Sequence, residues 1–259
     1  TRNGVISMAA TTDTPYPSVA AQAKAKGMKV GVITSVNIDH ATPAVFYAHQ
    51  RGRGDYYDIA MQLSTSGFDY FAAASVGENQ AQKDNKPSPV DAAKAAGYRI
   101  VDSRQAFDAL KPGDGKVWTW SPSAAGSGSL PFVIDAPADP NAHITLAEFT
   151  RKGIELLDNP DGFFMMVEGG MIDWACHSND AASSIHETLA FDAAIAEAVA
   201  FYHKHPDETL VVVTADHETG GMGLGAMYGY GLNAASLGNQ KISSSDFGET
   251  VSQWRKAST

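Results

Sequence analysis

The run Phe163-Phe164-Met165-Met166-Val167 ends on Glu168-Gly169-Gly170. Consecutive apolar residues of this length read as a strand buried on both faces, the kind that fills a parallel sheet. Glu168 then stands at the strand's carboxyl end, where open α/β sheets place their ligands. Asp173 and His177 follow, four residues apart. On a helix they project from one face, about one turn from each other. Carboxylate plus imidazole is a ligand set for zinc, and a further carboxylate suits a harder cation such as magnesium. The same residues also fit a turn acid and a solvated helix pair. The stretch alone leaves both readings open.

A second stretch repeats the design. Leu210-Val211-Val212-Val213-Thr214 reads as another buried strand, followed by Ala215-Asp216-His217-Glu218-Thr219-Gly220-Gly221. The glycines allow a sharp turn. Two apolar strands that each deliver Asp and His predict one shared site with two metals, an arrangement that clamps in-line displacement at phosphorus.

The rest of the chain alternates strand and helix signals. Strands are expected at 29–35, 67–74, 98–101 and 116–120. Thr42-Pro43 predicts a helix start, with the hydroxyl at the cap and Pro at the first helical position. Thr145-Leu146-Ala147-Glu148 is a capping-box pattern. A long helix is predicted from Asp180 to His203, with Ile185, Leu189, Ile195, Val199 and Tyr202 at helical spacing and His186 and Glu187 as ordinary helix surface. This alternation predicts an α/β fold with a mostly parallel central sheet sandwiched between helices. Residues 1–225 are expected to form that domain and 226–259 to begin a peripheral, lid-like excursion.

The formal net charge of −10 argues against a nucleic-acid binder, which needs a basic footprint. It is compatible with an anionic substrate, because bound divalent cations invert the local field. Cys176 is the one cysteine, so thiolate zinc sites and internal disulfides are excluded. No apolar span is long enough to cross a bilayer.

Taken together, the motifs resemble the alkaline phosphatase family. The matching pieces are His40-Ala41-Thr42-Pro43-Ala44, Ala48-His49 followed by Arg53, Val167-Glu168-Gly169-Gly170 with Ile172-Asp173 and His177, and Val213-Thr214-Ala215-Asp216-His217. They stand in the family's order at compatible spacings. The resemblance implies phosphate monoester hydrolysis with two Zn²⁺ and one Mg²⁺. It implies that Asp173 and His177 ligate one zinc, Asp216 and His217 the other, and Glu168 with Thr42 the magnesium. Arg53, rather than Arg51, matches the phosphate-gripping arginine. His40 and Trp174 match positions that tune the third metal site and the phosphate environment. The resemblance further implies attack by a serine, a phosphoserine intermediate, a homodimer, and a periplasmic or secreted location.

The sequence departs from the family in places. It has no Asp-Ser-Ala nucleophile segment. Thr1-Arg2-Asn3-Gly4 resembles the residues just after that segment, so the serine is expected upstream of Thr1. Asp102-Ser103 follows a different strand and does not match it. A late histidine ligand is also missing after His217. The chain is therefore expected to be an internal fragment, incomplete at both ends, with weak zinc binding and little activity alone. Two rival readings share the same residues. One is another metal-dependent branch of the superfamily: a phosphodiesterase, a sulfatase or a phosphoglycerate mutase. The other is a non-enzymatic metal- or phosphate-binding domain.

Overall fold

The computed structural model describes residues 2–76, 85–223 and 234–258. The expected 225/226 boundary lies outside the described residues. Five strands form one parallel sheet in the order β3-β4-β2-β1-β5. They are β1 (Lys29–Asn37), β2 (Tyr70–Ala74), β3 (Tyr98–Val101), β4 (Lys116–Trp120) and β5 (Phe163–Glu168). β2 is buried along its whole length, and so are the seven inner residues of β1. This burial follows from having helices on both faces.

One face is covered by α1 (Val19–Ala25), α2 (Ala41–Tyr47), α3 (Tyr56–Leu63) and α4 (Pro89–Ala95). Ala20, Ala44, Ile59, Leu63 and Ala93 pack there against Val30, Val32, Phe71 and Trp118. The other face is covered by α5 (Arg104–Asp108), α6 (Leu146–Leu157) and α8 (Ala181–Lys204), which bring Phe107, Phe149, Leu157 and Ala194 against Ile33, Tyr70 and Val117. Helix α6 opens with the predicted capping box, Thr145 and Glu148 satisfying each other's backbone N–H. It also lies unusually close to the sheet. A Cβ on Gly153 would meet Met165 Sδ at 2.9 Å and Ile33 Cδ1 at 3.0 Å, so any larger residue would push these side chains aside.

Four expectations are corrected. Helix α2 starts at Ala41 with His40 in the cap position, so Thr42 lies inside its first turn. A tight turn from Asn37 to His40, closed by the His40 N–H donating to Asn37 O at 3.0 Å, winds the chain early. Residues 210–214 are not a strand. They join no ladder, although β5 at the end of the sheet pairs only with β1 among the described strands, and Leu210 and Val212 are 87% and 73% exposed. An apolar run without a pairing neighbour lies in water whatever its propensity. The long helix forms as predicted, but its apolar row faces out: Ile185, Leu189, Val199 and Tyr202 are all exposed. Its inner face carries Ala182, Ser183, Ser184 and Ala194 with the rings of Phe191 and Phe201, and Glu187, expected on the surface, is buried.

After β5 come α7 (Gly170–His177) and α8, and the last helix is α9 (Ser244–Ala257). Asp180 joins the starts of α8 and α9. It accepts the Ser183 N–H at 3.1 Å, the Ser244 N–H at 2.7 Å and the Gln240 amide at 2.7 Å. Asp135 accepts the Ser243 N–H at 2.8 Å. Desolvation alone would raise the Asp180 carboxyl, but these donors outweigh it and hold the group down at about 2.

Glu187 goes the other way. Burial pushes its carboxyl up to about 7; the Val133 N–H pulls it back, and the Asp135 charge adds to the rise. The folded pKa exceeds the unfolded one, so this carboxyl supports the fold fully below about pH 4.5, and that support is lost as pH rises through 7. Glu187→Gln keeps the acceptor for Val133 and removes the titration. It is expected to stabilise the protein at pH 8 by on the order of 2 kcal/mol and to make no difference at pH 4, read from urea melts at both values. A variant equally less stable at both would contradict this.

Candidate active site

The carboxyl ends of β1 and β5 are adjacent in register, Thr34 facing Glu168. The Thr34 hydroxyl donates to Glu168 Oε2 at 2.5 Å, and Thr42 from the first turn of α2 also hydrogen-bonds this carboxylate. Burial pushes the Glu168 carboxyl up; the two threonines pull it down, and the charges of Asp216 and Asp173 raise it again. That pattern places three carboxylates from three chain segments in one neighbourhood.

Helix α7 starts immediately beyond β5. Gly169 and Gly170 carry the chain over β1: a Cβ on Gly170 would stand 2.9 Å from Val36 Cγ1. Ser35 accepts the Met171 N–H at 3.1 Å, a role that the capping glycine cannot fill. One turn into the helix Asp173 and His177 lie side by side, with Nε2 and Oδ2 at 3.5 Å. The predicted shared face is therefore real.

The segment 215–220 reaches the same place without a strand behind it. Thr219 Oγ1 donates to Asp173 Oδ1 at 2.7 Å, and His217 Nδ1 stands 3.0 Å from that same hydroxyl. His217 Nε2 and Asp216 Oδ2 are 3.4 Å apart. Gly220 makes this seat possible. Its φ is +83°, and a Cβ there would lie 2.3 Å from Cys176 O. Neither the Thr219 bridge nor this close approach was legible in the sequence, where the glycines read only as a turn.

On the α2 side, Arg53 Nη2 lies 3.4 Å from His40 Nε2. The His40 ring meets Trp174 edge to face, with centroids 5.9 Å apart. Burial lowers the His40 pKa, the Arg53 charge lowers it further and Asp173 pulls it back. The imidazole is thus held neutral beside the guanidinium. Arg51 is engaged elsewhere, paired with Asp13 at 2.5 Å and donating to Ala9 O at 3.0 Å. Arg53 remains exposed at the site. Of the two arginines, it is the one with hands free for an anion.

All nine residues singled out in the sequence are therefore placed. Glu168, Thr42, Asp173, His177, Asp216, His217, His40, Trp174 and Arg53 are connected by direct contacts or by the charges they exert on one another. Thr34 and Thr219 are additions. The donors are oxygen and imidazole nitrogen, the chemistry of zinc and magnesium ligands. No three His, Cys, Asp or Glu side chains among the described residues are gathered tightly enough to enclose an ion. Glu168 is a buried carboxylate among like charges, and His40 Nδ1 is buried with no hydrogen-bond partner among the described residues.

A parallel sheet with two acid–imidazole pairs gathered at its carboxyl edge is an α/β architecture of the kind the alkaline phosphatases share. The chain belongs to the alkaline phosphatase family: the family's description, "Alkaline phosphatase", matches residues 1–82 and 67–252. Alkaline phosphatase 3 of Bacillus subtilis is 36% identical over 217 residues, covering 81% of this chain and 44% of that protein. Streptomycin-6-phosphate phosphatase of Streptomyces griseus is 32% identical, over 84% of this chain and 58% of that one. The crystal structure of a cold-active alkaline phosphatase from Shewanella sp. superposes with a TM-score of 0.81 at 34% identity, over 94% of this chain and 57% of its own. The chain thus spans about half the length of the relatives it matches.

The seat of the 215–220 segment is testable. Gly220→Ala must shift this loop off α7 and break the Thr219–Asp173 bond. Deuterium uptake across 216–221 is expected to rise about tenfold or more, while β1 and β5 stay protected. Unchanged uptake would show that the bridge does not hold the segment.

Proposed function

We propose that this chain carries the phosphate-binding and metal-binding half of a phosphomonoesterase site of the alkaline phosphatase type. The observation that carries the reading is the hydrogen bond from Thr219 to Asp173, which brings the two acid–imidazole pairs onto one another. In this reading Asp173 and His177 hold one Zn²⁺, Asp216 and His217 a second, and Glu168 with Thr42 a Mg²⁺. A related structure, a variant of the TAB5 alkaline phosphatase, has Mg bound in its M3 site; it is 30% identical with a TM-score of 0.67. Bound divalent cations would neutralise the carboxylates and lend positive charge to the attacking and leaving oxygens of a phosphoryl group.

The chain's own side chains have distinct parts. Arg53 offers a planar fork to two phosphate oxygens. His40, neutral and backed by Trp174, orients that guanidinium from Nε2. Thr219 fixes the rotamer of Asp173, as hydrogen-bonded carboxylates do around metals. The hydroxyls that reach Glu168, Thr34 and Thr42, are both engaged with it, so neither is placed as a nucleophile. These 259 residues alone are therefore expected to bind phosphate and metal weakly and to turn over little substrate. By the same family reading the whole protein is exported and homodimeric. Among the described residues no helix is long and apolar enough to cross a membrane.

The test is calorimetric. Zn²⁺ is expected to bind the 259-residue chain, and Asp173→Asn to weaken it by about tenfold or more. In the zinc-loaded chain Arg53→Ala is expected to reduce inorganic phosphate binding by about tenfold, with Arg51→Ala indistinguishable from the parent. Zinc affinity untouched by Asp173→Asn would remove the proposal. A phosphate-ester hydrolysis rate matching that of a full-length relative would remove its last part.

A further inference from the structure

The wall of α7 that carries Trp174 and His177 faces two ways. One side looks to His40 and Arg53. The other lines a separate cavity of about 620 Å³ between α7, the loop 123–135 and the start of α9. That is ample for a small organic group, since ligand pockets run from roughly 300 to 1,000 Å³. Aromatic and aliphatic surface from Trp174 and Phe132 forms one part of the lining, and Ser245, Asp246 and Asp135 form another. Among the described residues no lysine or arginine lines it. Asp135 commits one oxygen to the Ser243 N–H, and its second, Oδ2, is buried with no hydrogen-bond partner among the described residues. Asp246, at the first turn of α9, is close enough to Asp135 for the two charges to oppose each other.

We propose that this cavity receives the alcohol portion of the ester and prefers a cationic one, such as a quaternary or protonated amino alcohol. Three features argue for it together. The cavity opens on His177, so a phosphate held at the metal-binding face can extend its leaving group across that ring. Trp174 and Phe132 offer the aromatic faces that bind ammonium groups. Asp135 and Asp246 supply the matching negative charge. An anionic leaving group would meet two carboxylates and no counter-charge. The proposal rests on the phosphomonoesterase reading only for where the phosphate lies, and the cavity can be probed without it.

The probe is choline, which carries no phosphate, added to the metal-free chain and followed by calorimetry and tryptophan fluorescence. Choline is expected to bind, and its uncharged carbon analogue about fivefold or more weaker. Asp246→Asn, on the exposed start of α9, should weaken choline by up to about fivefold. Ser245→Trp, which fills the mouth, should abolish binding; unchanged circular dichroism shows that either variant is folded. Equal affinity for choline and its carbon analogue would overturn the proposal, as would no choline binding at all or binding that survives Ser245→Trp. Because neither metal nor phosphate is present, those outcomes leave the zinc and phosphate results untouched, and failure of the latter leaves the choline result standing.

Discussion

The hydrogen bond between Thr34 and Glu168 joins the sheet to the chemistry. Parallel pairing of β1 with β5 sets both residues at one level, and the threonine hydroxyl partly offsets the burial that pushes this carboxyl up. Everything else at the site is placed relative to that acid. Gly169 and Gly170 turn the chain directly over β1, so α7 presents Asp173 and His177 beside it. Helix α2, launched from the end of β1, brings Thr42 to the same carboxylate, and the loop after α2 carries Arg53 to His40.

Much of this could be read from the amino acids. The largely apolar runs of β1 and β2 read as strands because both faces of the sheet are covered; β5 also forms, but as the sheet's end strand it is half-buried rather than buried as its run suggests. Thr145 with Glu148 announced a helix start, since a capping box satisfies two backbone donors by local chemistry. Asp173 and His177 meet because four-residue spacing on a helix is a local property. Residues whose role depends on a distant segment stayed hidden. Thr34 looks like any β-branched strand former, and its importance appears only when β5 is laid alongside. Thr219 and Gly220 read as part of a turn, because nothing in their neighbourhood names Asp173 or Cys176 as the other party.

The misreadings have the same origin. Leu210 to Thr214 has strong strand propensity, but a strand exists only where it pairs, and among the described residues this segment pairs with none. The apolar spacing in α8 marks a helix correctly yet does not say which side turns inward. Packing against α6 and α7 selects the small side chains Ala182, Ser183 and Ser184, and takes Glu187 with them. Local pattern fixes the type of element, while the facing surfaces decide its rotation about its own axis.

Asp180 serves two helices from one carboxylate, and this has a mechanical meaning. Ser183 and Ser244 belong to segments some sixty positions apart, yet both backbones hang from the same pair of oxygens. Neither helix can fray at its first turn without loosening the other's attachment. A disturbance arriving at the amino end of α9 is thereby transmitted to the amino end of α8 through a single side chain. The outermost helix is coupled to the scaffold as a hinge leaf is to its pin.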